Sequence, residues 1–197
     1  MADPQHEPDL DDFDRATVRL YRIGLTLSAC MTVLVGLAYL GAVTDGAIGN
    51  DLVRDWIRLG WIGLVYATAV ASIDVHLYAK QIKWTIQAAA WFGAVLMLTS
   101  TELGRPAVAW WTWHVGLGFV FVAQSGFALK ERYCFKLPLL YLVPVCLAGS
   151  LIPLAMDWWL PAGILVTASG LLLGVLAFAK DRMPLHYDIG DKSRYQV

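Results

Sequence analysis

Charge is scarce in this chain, and so is cysteine. Only 16% of the 197 residues are charged, against about a quarter in an ordinary soluble domain. The net charge is −1, and no basic patch suggests a nucleic-acid partner. Three cysteines, Cys30, Cys134 and Cys146, show no C-x-x-C spacing, which excludes the common zinc and dithiol motifs. No metal-ligand cluster, nucleophile–base pair or phosphate loop is present. The first 14 residues hold six acids and no base, the reverse of a signal peptide's basic start.

Apolar residues are abundant, at 58%. They fall in runs of about 20, the length that crosses ~30 Å of hydrocarbon as a helix. The expected fold is therefore an all-α polytopic membrane bundle with six transmembrane helices, at 23–43, 59–78, 84–101, 106–129, 137–156 and 158–179. An acidic, flexible segment, 1–14, precedes the membrane domain, 15–182, and a tail, 183–197, follows it. Asp12, Phe13 and Asp14 can cap a short helix leading into the first span. Asp45-Gly46 and Gly49-Asn50-Asp51 are turn signals in the first outer loop. Asp157 alone separates the last two spans, so these should form an antiparallel hairpin.

The bases are distributed unevenly. Arg15, Arg19, Arg22, Lys80, Lys83, Lys130, Arg132, Lys136, Lys180, Arg182, Lys192 and Arg194 share one side, and Arg54, Arg58 and Arg105 the other. The positive-inside rule then puts both termini in the cytoplasm. Trp56, Trp61, Trp110, Trp111, Trp113, Trp158 and Trp159 gather at the outer ends of spans, as an interfacial belt would.

Gly163, Thr167, Gly170, Gly174 and Ala177 recur on one face of the sixth span. Small faces let helix backbones approach closely in lipid. The stripe serves packing within the chain or docks another protein's helix. Ser28, Thr32 and Gly36 form a lesser stripe on the first span.

Two polar groups within the spans ask for partners. Asp74 lies about 9 Å along the helix from Lys80, where a carboxylate at a helix C-terminus opposes the macrodipole and loses hydration. Its expected role is an ion pair between helices, with Arg19, Arg22, Lys130 or Arg132 as the base; contact with a partner protein or ligand and proton handling are the alternatives. His114 lies roughly 12 Å below the outer end. It either bonds a neighbouring helix or ligates a haem or chlorophyll-type pigment, for which adjacent glycines such as Gly116 and Gly118 leave room. His76 is the other histidine in a span, about 12 Å from His114 in depth, too far to face one iron. Gln124 and Ser125 are expected to bridge helices.

Two blocks carry a resemblance. One is His76-Leu77-Tyr78-Ala79-Lys80 with Ile82, Lys83 and Gln87; the other runs Gly126-Phe127-Ala128-Leu129-Lys130-Glu131-Arg132-Tyr133-Cys134-Phe135. The chain resembles a family of uncharacterised integral membrane proteins, a domain of unknown function found in cyanobacteria, plastids and other bacteria. The resemblance covers nearly all six spans. Its photosynthetic lineages imply a link to photosynthetic membrane complexes and, for such a source, a thylakoid-type membrane. The second block also has its own physics. Glu131 can pair with neighbours of Lys130, or with Lys80 and Lys83. Cys134, beside three bases, is either structural or a lowered-pKa thiol.

The function expected from the sequence is a non-enzymatic accessory or assembly subunit of a larger complex in the bacterial inner membrane. Its partners would be lipids and other integral membrane proteins. A small-solute or proton-coupled transporter and a pigment- or haem-binding subunit are the alternatives.

Overall fold

A computed structural model describes residues 10–44, 46, 50–135, 137–191 and 193. Among the described residues six helical segments are long and apolar enough to cross a membrane, the fifth taken from Pro138 to Ala155. Their α-helices are α1 (Asp12–Thr44), α2 (Asp51–Ile73), α3 (Lys80–Ser100), α4 (Pro106–Phe135), α5 (Leu142–Ala155) and α6 (Trp159–Asp181). A 3₁₀ turn at Pro138–Tyr141 leads into α5, and a one-turn helix, α7 (His186–Ile189), follows α6. Residues 1–9 of the acidic head, Asp45 and Gly49 among the turn residues between α1 and α2, and the side chains of Cys134 and Phe135 lie outside the described residues.

Local chemistry sets the ends of these helices. Asp14 N–H donates to Asp11 Oδ1 at 2.7 Å, and Asp11 N–H to Asp14 Oδ2 at 3.3 Å. This reciprocal capping box starts α1, which runs unbroken into the membrane rather than as a separate short helix. Pro106 opens α4, a position whose N–H needs no partner. Hydropathy carries the second span to residue 78, but α2 stops at Ile73. Gln87 Nε2 donates to the carbonyls of Ser72 and Ile73 at 3.1 and 2.9 Å. That satisfies acceptors the helix end leaves open and releases residues 74–79 into an irregular loop.

The α5–α6 hairpin turns on Asp157, whose φ is 53°. Trp158 N–H donates to Pro153 O at 2.8 Å and Asp157 N–H to Leu154 O at 3.4 Å, the two bonds of a Schellman motif.

Each helix packs on the next, and α6 returns to α1, closing a ring. The sixth-span stripe lies largely in that closure. A Cβ on Gly170 would stand 2.7 Å from Val33 N, and one on Gly163 would stand 2.9 Å from the Leu40 side chain. A Cβ on Gly36 would stand 2.6 Å from Thr167 N. The two small-residue stripes therefore face each other across α1 and α6, and Ala177 is buried with them. Gly174 meets nothing within 4 Å.

Trp61 departs from the expected belt. It is 2% exposed, its Nε1–H donates to Tyr39 OH at 3.2 Å, and its ring lies 6.0 Å from that of Phe121. Trp56, Trp111 and Trp158 are exposed. Deep in the bundle, Gln124 Nε2 donates to Ser28 Oγ at 2.8 Å and to Thr32 Oγ1 at 3.2 Å, and Ser28 Oγ lies 3.3 Å from Thr68 Oγ1. This polar cluster joins α1, α2 and α4.

Candidate functional site: a buried charge cluster at the head of an apolar cavity

Five charged side chains converge at the end of the bundle where α1 begins and α6 ends. Glu131 of α4 is fully buried. Its Oε1 accepts from Tyr21 OH at 2.7 Å and forms ion pairs with Lys130 Nζ and Lys180 Nζ, each at 2.8 Å. Lys180 of α6 also pairs with Asp188 of α7. Arg22 of α1 donates Nε–H to Asp188 Oδ2 at 2.8 Å and bonds the carbonyls of Met183 and Pro184 at 2.8 and 3.1 Å. The ring of Tyr21 lies under both lysines, 4.5 Å from Lys130 Nζ and 5.1 Å from Lys180 Nζ. Charges this deep persist only when paired and hydrogen-bonded.

The cluster ties α1, α4 and α6 to the segment after α6. Met183, Pro184 and Asp188 are thereby fastened to the bundle. Asp191 N–H donates to Tyr78 OH at 2.8 Å, which fastens the same segment to the α2–α3 loop.

Beside the cluster lies a cavity of about 790 Å³, walled mostly by apolar side chains of α3, α4 and α5. Ile86, Phe121, Leu129 and Ala148 line its body, and His76, Lys130, Glu131, Lys180 and Asp188 line one end. Rim residues Ile82, Val122 and Tyr133 are exposed, so the cavity opens sideways between α3 and α5. Gly118 lines it, and a Cβ placed there would meet nothing within 4 Å.

His76 sits in the α2–α3 loop, where burial and then the nearby Lys130 push its pKa down to about 4; Asp188 works in the opposite direction and Lys83 lowers it further. Its imidazole is neutral at pH 7.

The residues singled out by sequence are redistributed. Asp74 is the C-cap of α2 and makes no ion pair among the described residues. Of its expected bases, Arg22 pairs with Asp188 and Lys130 with Glu131, while the Arg132 guanidinium stacks 3.3 Å from the Tyr141 ring. With α2 ending at Ile73, Asp74 stands at the start of the α2–α3 loop and is only half-buried, so its carboxylate keeps part of its hydration. Glu131 takes Lys180 of α6 rather than Lys80 or Lys83. The signal that would have found Asp188 is weak: one of two acids in a short tail.

His114 lies at the opposite end, with its Nδ1–H donating to Trp110 O at 2.8 Å. It shares a recess of about 350 Å³ with Tyr39, Arg58 and Trp113. The glycines next to it do not widen that recess. Gly116 abuts Met97 and Leu96 of α3, and Gly118 faces the other cavity.

No solved structure matches this chain. An uncharacterised protein of Haemophilus influenzae is 34% identical over 197 residues, the full length of both chains. The family model described as "Uncharacterized integral membrane protein (DUF2301)" matches residues 70–197, which takes in the α2–α3 loop, the Lys130-Glu131 pair, Lys180 and Asp188. With six apolar helices and a match over well more than half its length, the chain belongs to that family of integral membrane proteins.

Proposed function

We propose that the protein holds a long-chain amphiphile within the bilayer, with the tail in the cavity between α3 and α5 and the head against the buried charge cluster. The shape of the cavity carries this reading. From Glu131 to Gly118 it follows α4 for 13 residues, about 20 Å of helix. That exceeds the ~15 Å hydrocarbon depth of one leaflet. Its volume lies within the range of small-molecule sites, which are mostly apolar with a few converging polar groups. The lateral opening gives a lipid-soluble molecule a route in that does not cross water. The bias of basic residues argues that both termini, and hence the head of the site, are cytoplasmic.

The test is extraction of the purified full-length protein followed by mass spectrometry of what was bound. Gly118→Leu adds a side chain at the cavity wall, where a Cβ meets nothing within 4 Å. The expected result is a defined long-chain compound retained by the wild type and lost from the variant, with unfolding temperature unchanged. Equal retention by both would refute the assignment.

An accessory subunit of a larger membrane complex is the second reading. Gly174 favours it: with Leu171, Val175 and Phe178 exposed around it, it leaves a flat patch of the small stripe uncovered by α1.

A further inference from the structure

We infer that the head of this amphiphile is uncharged and carries a hydroxyl group, which donates its hydrogen to Glu131 Oε2. The inference rests on the amphiphile reading and specifies its chemistry.

The argument begins with the two oxygens of one carboxylate. Tyr21 OH donates to Glu131 Oε1, and the Nζ atoms of Lys130 and Lys180 both stand 2.8 Å from that same oxygen. Glu131 Oε2 is buried and has no hydrogen-bond partner among the described residues. A buried carboxylate oxygen is a strong acceptor, and leaving it empty forfeits much of the hydration it lost on folding. Glu131 lines the cavity, so an occupant's head can supply the missing donor.

The charges already present decide what kind of donor. At the cavity end, Lys130 and Lys180 face Glu131 and Asp188, and Arg22 pairs with Asp188 from behind, so three cations are each already held against a carboxylate. Each lysine is engaged by a carboxylate. A cationic head would bring a third positive charge beside the two lysines. An anionic head would meet Glu131 Oε2 directly, and to reach a lysine it would have to displace a carboxylate from it. Like charges at such range in a weakly polar setting are strongly unfavourable. A hydroxyl adds no net charge, donates to Glu131, and keeps its own lone pairs available to a lysine N–H. The neutral imidazole of His76 stands at the same end and adds no charge to this balance.

Four probes with one tail separate the possibilities: oleyl alcohol, its methyl ether, oleate and oleylamine. Each is offered to the full-length protein in lipid nanodiscs, and retention after exchange against empty nanodiscs is measured by mass spectrometry. A hydrogen bond to a charged acceptor predicts oleyl alcohol held about tenfold or more over the ether, with oleate and oleylamine weaker than the alcohol. Glu131→Gln removes the charged acceptor and should bring alcohol and ether within about threefold of each other. Because that variant strands two lysines, the wild-type ranking is the primary readout and does not depend on its folding. Equal retention of alcohol and ether, or preference for either charged probe, overturns the hydroxyl assignment while leaving the cavity reading in place. If none of the four is retained above Gly118→Leu protein, the cavity reading itself fails.

Discussion

Replacing Gly170 by alanine adds one methyl group, and the structure says where it goes. The new carbon would lie 2.7 Å from Val33 N, 2.8 Å from Val33 Cγ2 and 3.0 Å from the Thr32 carbonyl carbon. Two of these three are backbone atoms of α1, which no rotamer change can move aside. The helices must separate by several tenths of an ångström, and the loss spreads along the whole α1–α6 contact. Overpacking of a close-packed core costs about 1–3 kcal/mol, and a backbone-to-backbone clash belongs at the upper end. Gly36→Ala should behave alike, with Thr167 N at 2.6 Å. Gly174→Ala adds the same methyl one turn further along the same face, where nothing lies within 4 Å. It should change stability by less than about 0.5 kcal/mol. The assay is reversible unfolding in mixed micelles of mild detergent and SDS, followed by circular dichroism. A Gly170→Ala protein as stable as wild type, or a Gly174→Ala protein less stable than Gly170→Ala, would refute the packing of these two stripes.

Arg22→Met should cost about 3–5 kcal/mol, because it leaves Asp188 buried without its guanidinium; adding Asp188→Leu should recover a large part of that loss, whereas Asp74→Asn should show a coupling near zero with Arg22, Lys130 and Arg132 in the same unfolding assay. Protonation of His76 opposes folding, since its folded pKa of about 4 lies below the ordinary 6.5. The stabilisation is therefore complete above pH 6.5 and lost as the pH falls toward 4, on the order of 3 kcal/mol in all. His76→Gln should flatten the pH dependence of unfolding in that window by this amount, and an unchanged slope would contradict the burial of the imidazole.

The spans are legible in the sequence because a bilayer demands about 20 apolar residues per crossing, and no tertiary contact alters that requirement. The stripe on α6 is legible for a similar reason, since its spacing is a property of one helix. Whether the stripe meets α1 or another protein is not, because the answer needs the ring to close. Asp74 shows the limit more sharply. Its expected depth rests on a helix that reaches Tyr78, and a side chain from the next helix, Gln87, ends that helix early. The pairing of Arg22 with Asp188 spans 166 positions. No local periodicity announces a contact of that range, so the cavity and its charged end emerge only from the assembled fold.

The closure of the ring through α1 and α6 sets a timetable for biosynthesis. α1 enters the bilayer first, yet the helix that covers its glycine face is completed about 140 residues later. At ordinary elongation rates that interval is roughly 10–30 s. Throughout it, Gly36 and its neighbours lie against lipid, and Arg22 waits at the membrane boundary for a carboxylate that has not yet been made. A nascent chain arrested before residue 188 therefore holds an unneutralised arginine and an open seam. Such chains are the form of this protein that a membrane chaperone or a quality-control protease would meet.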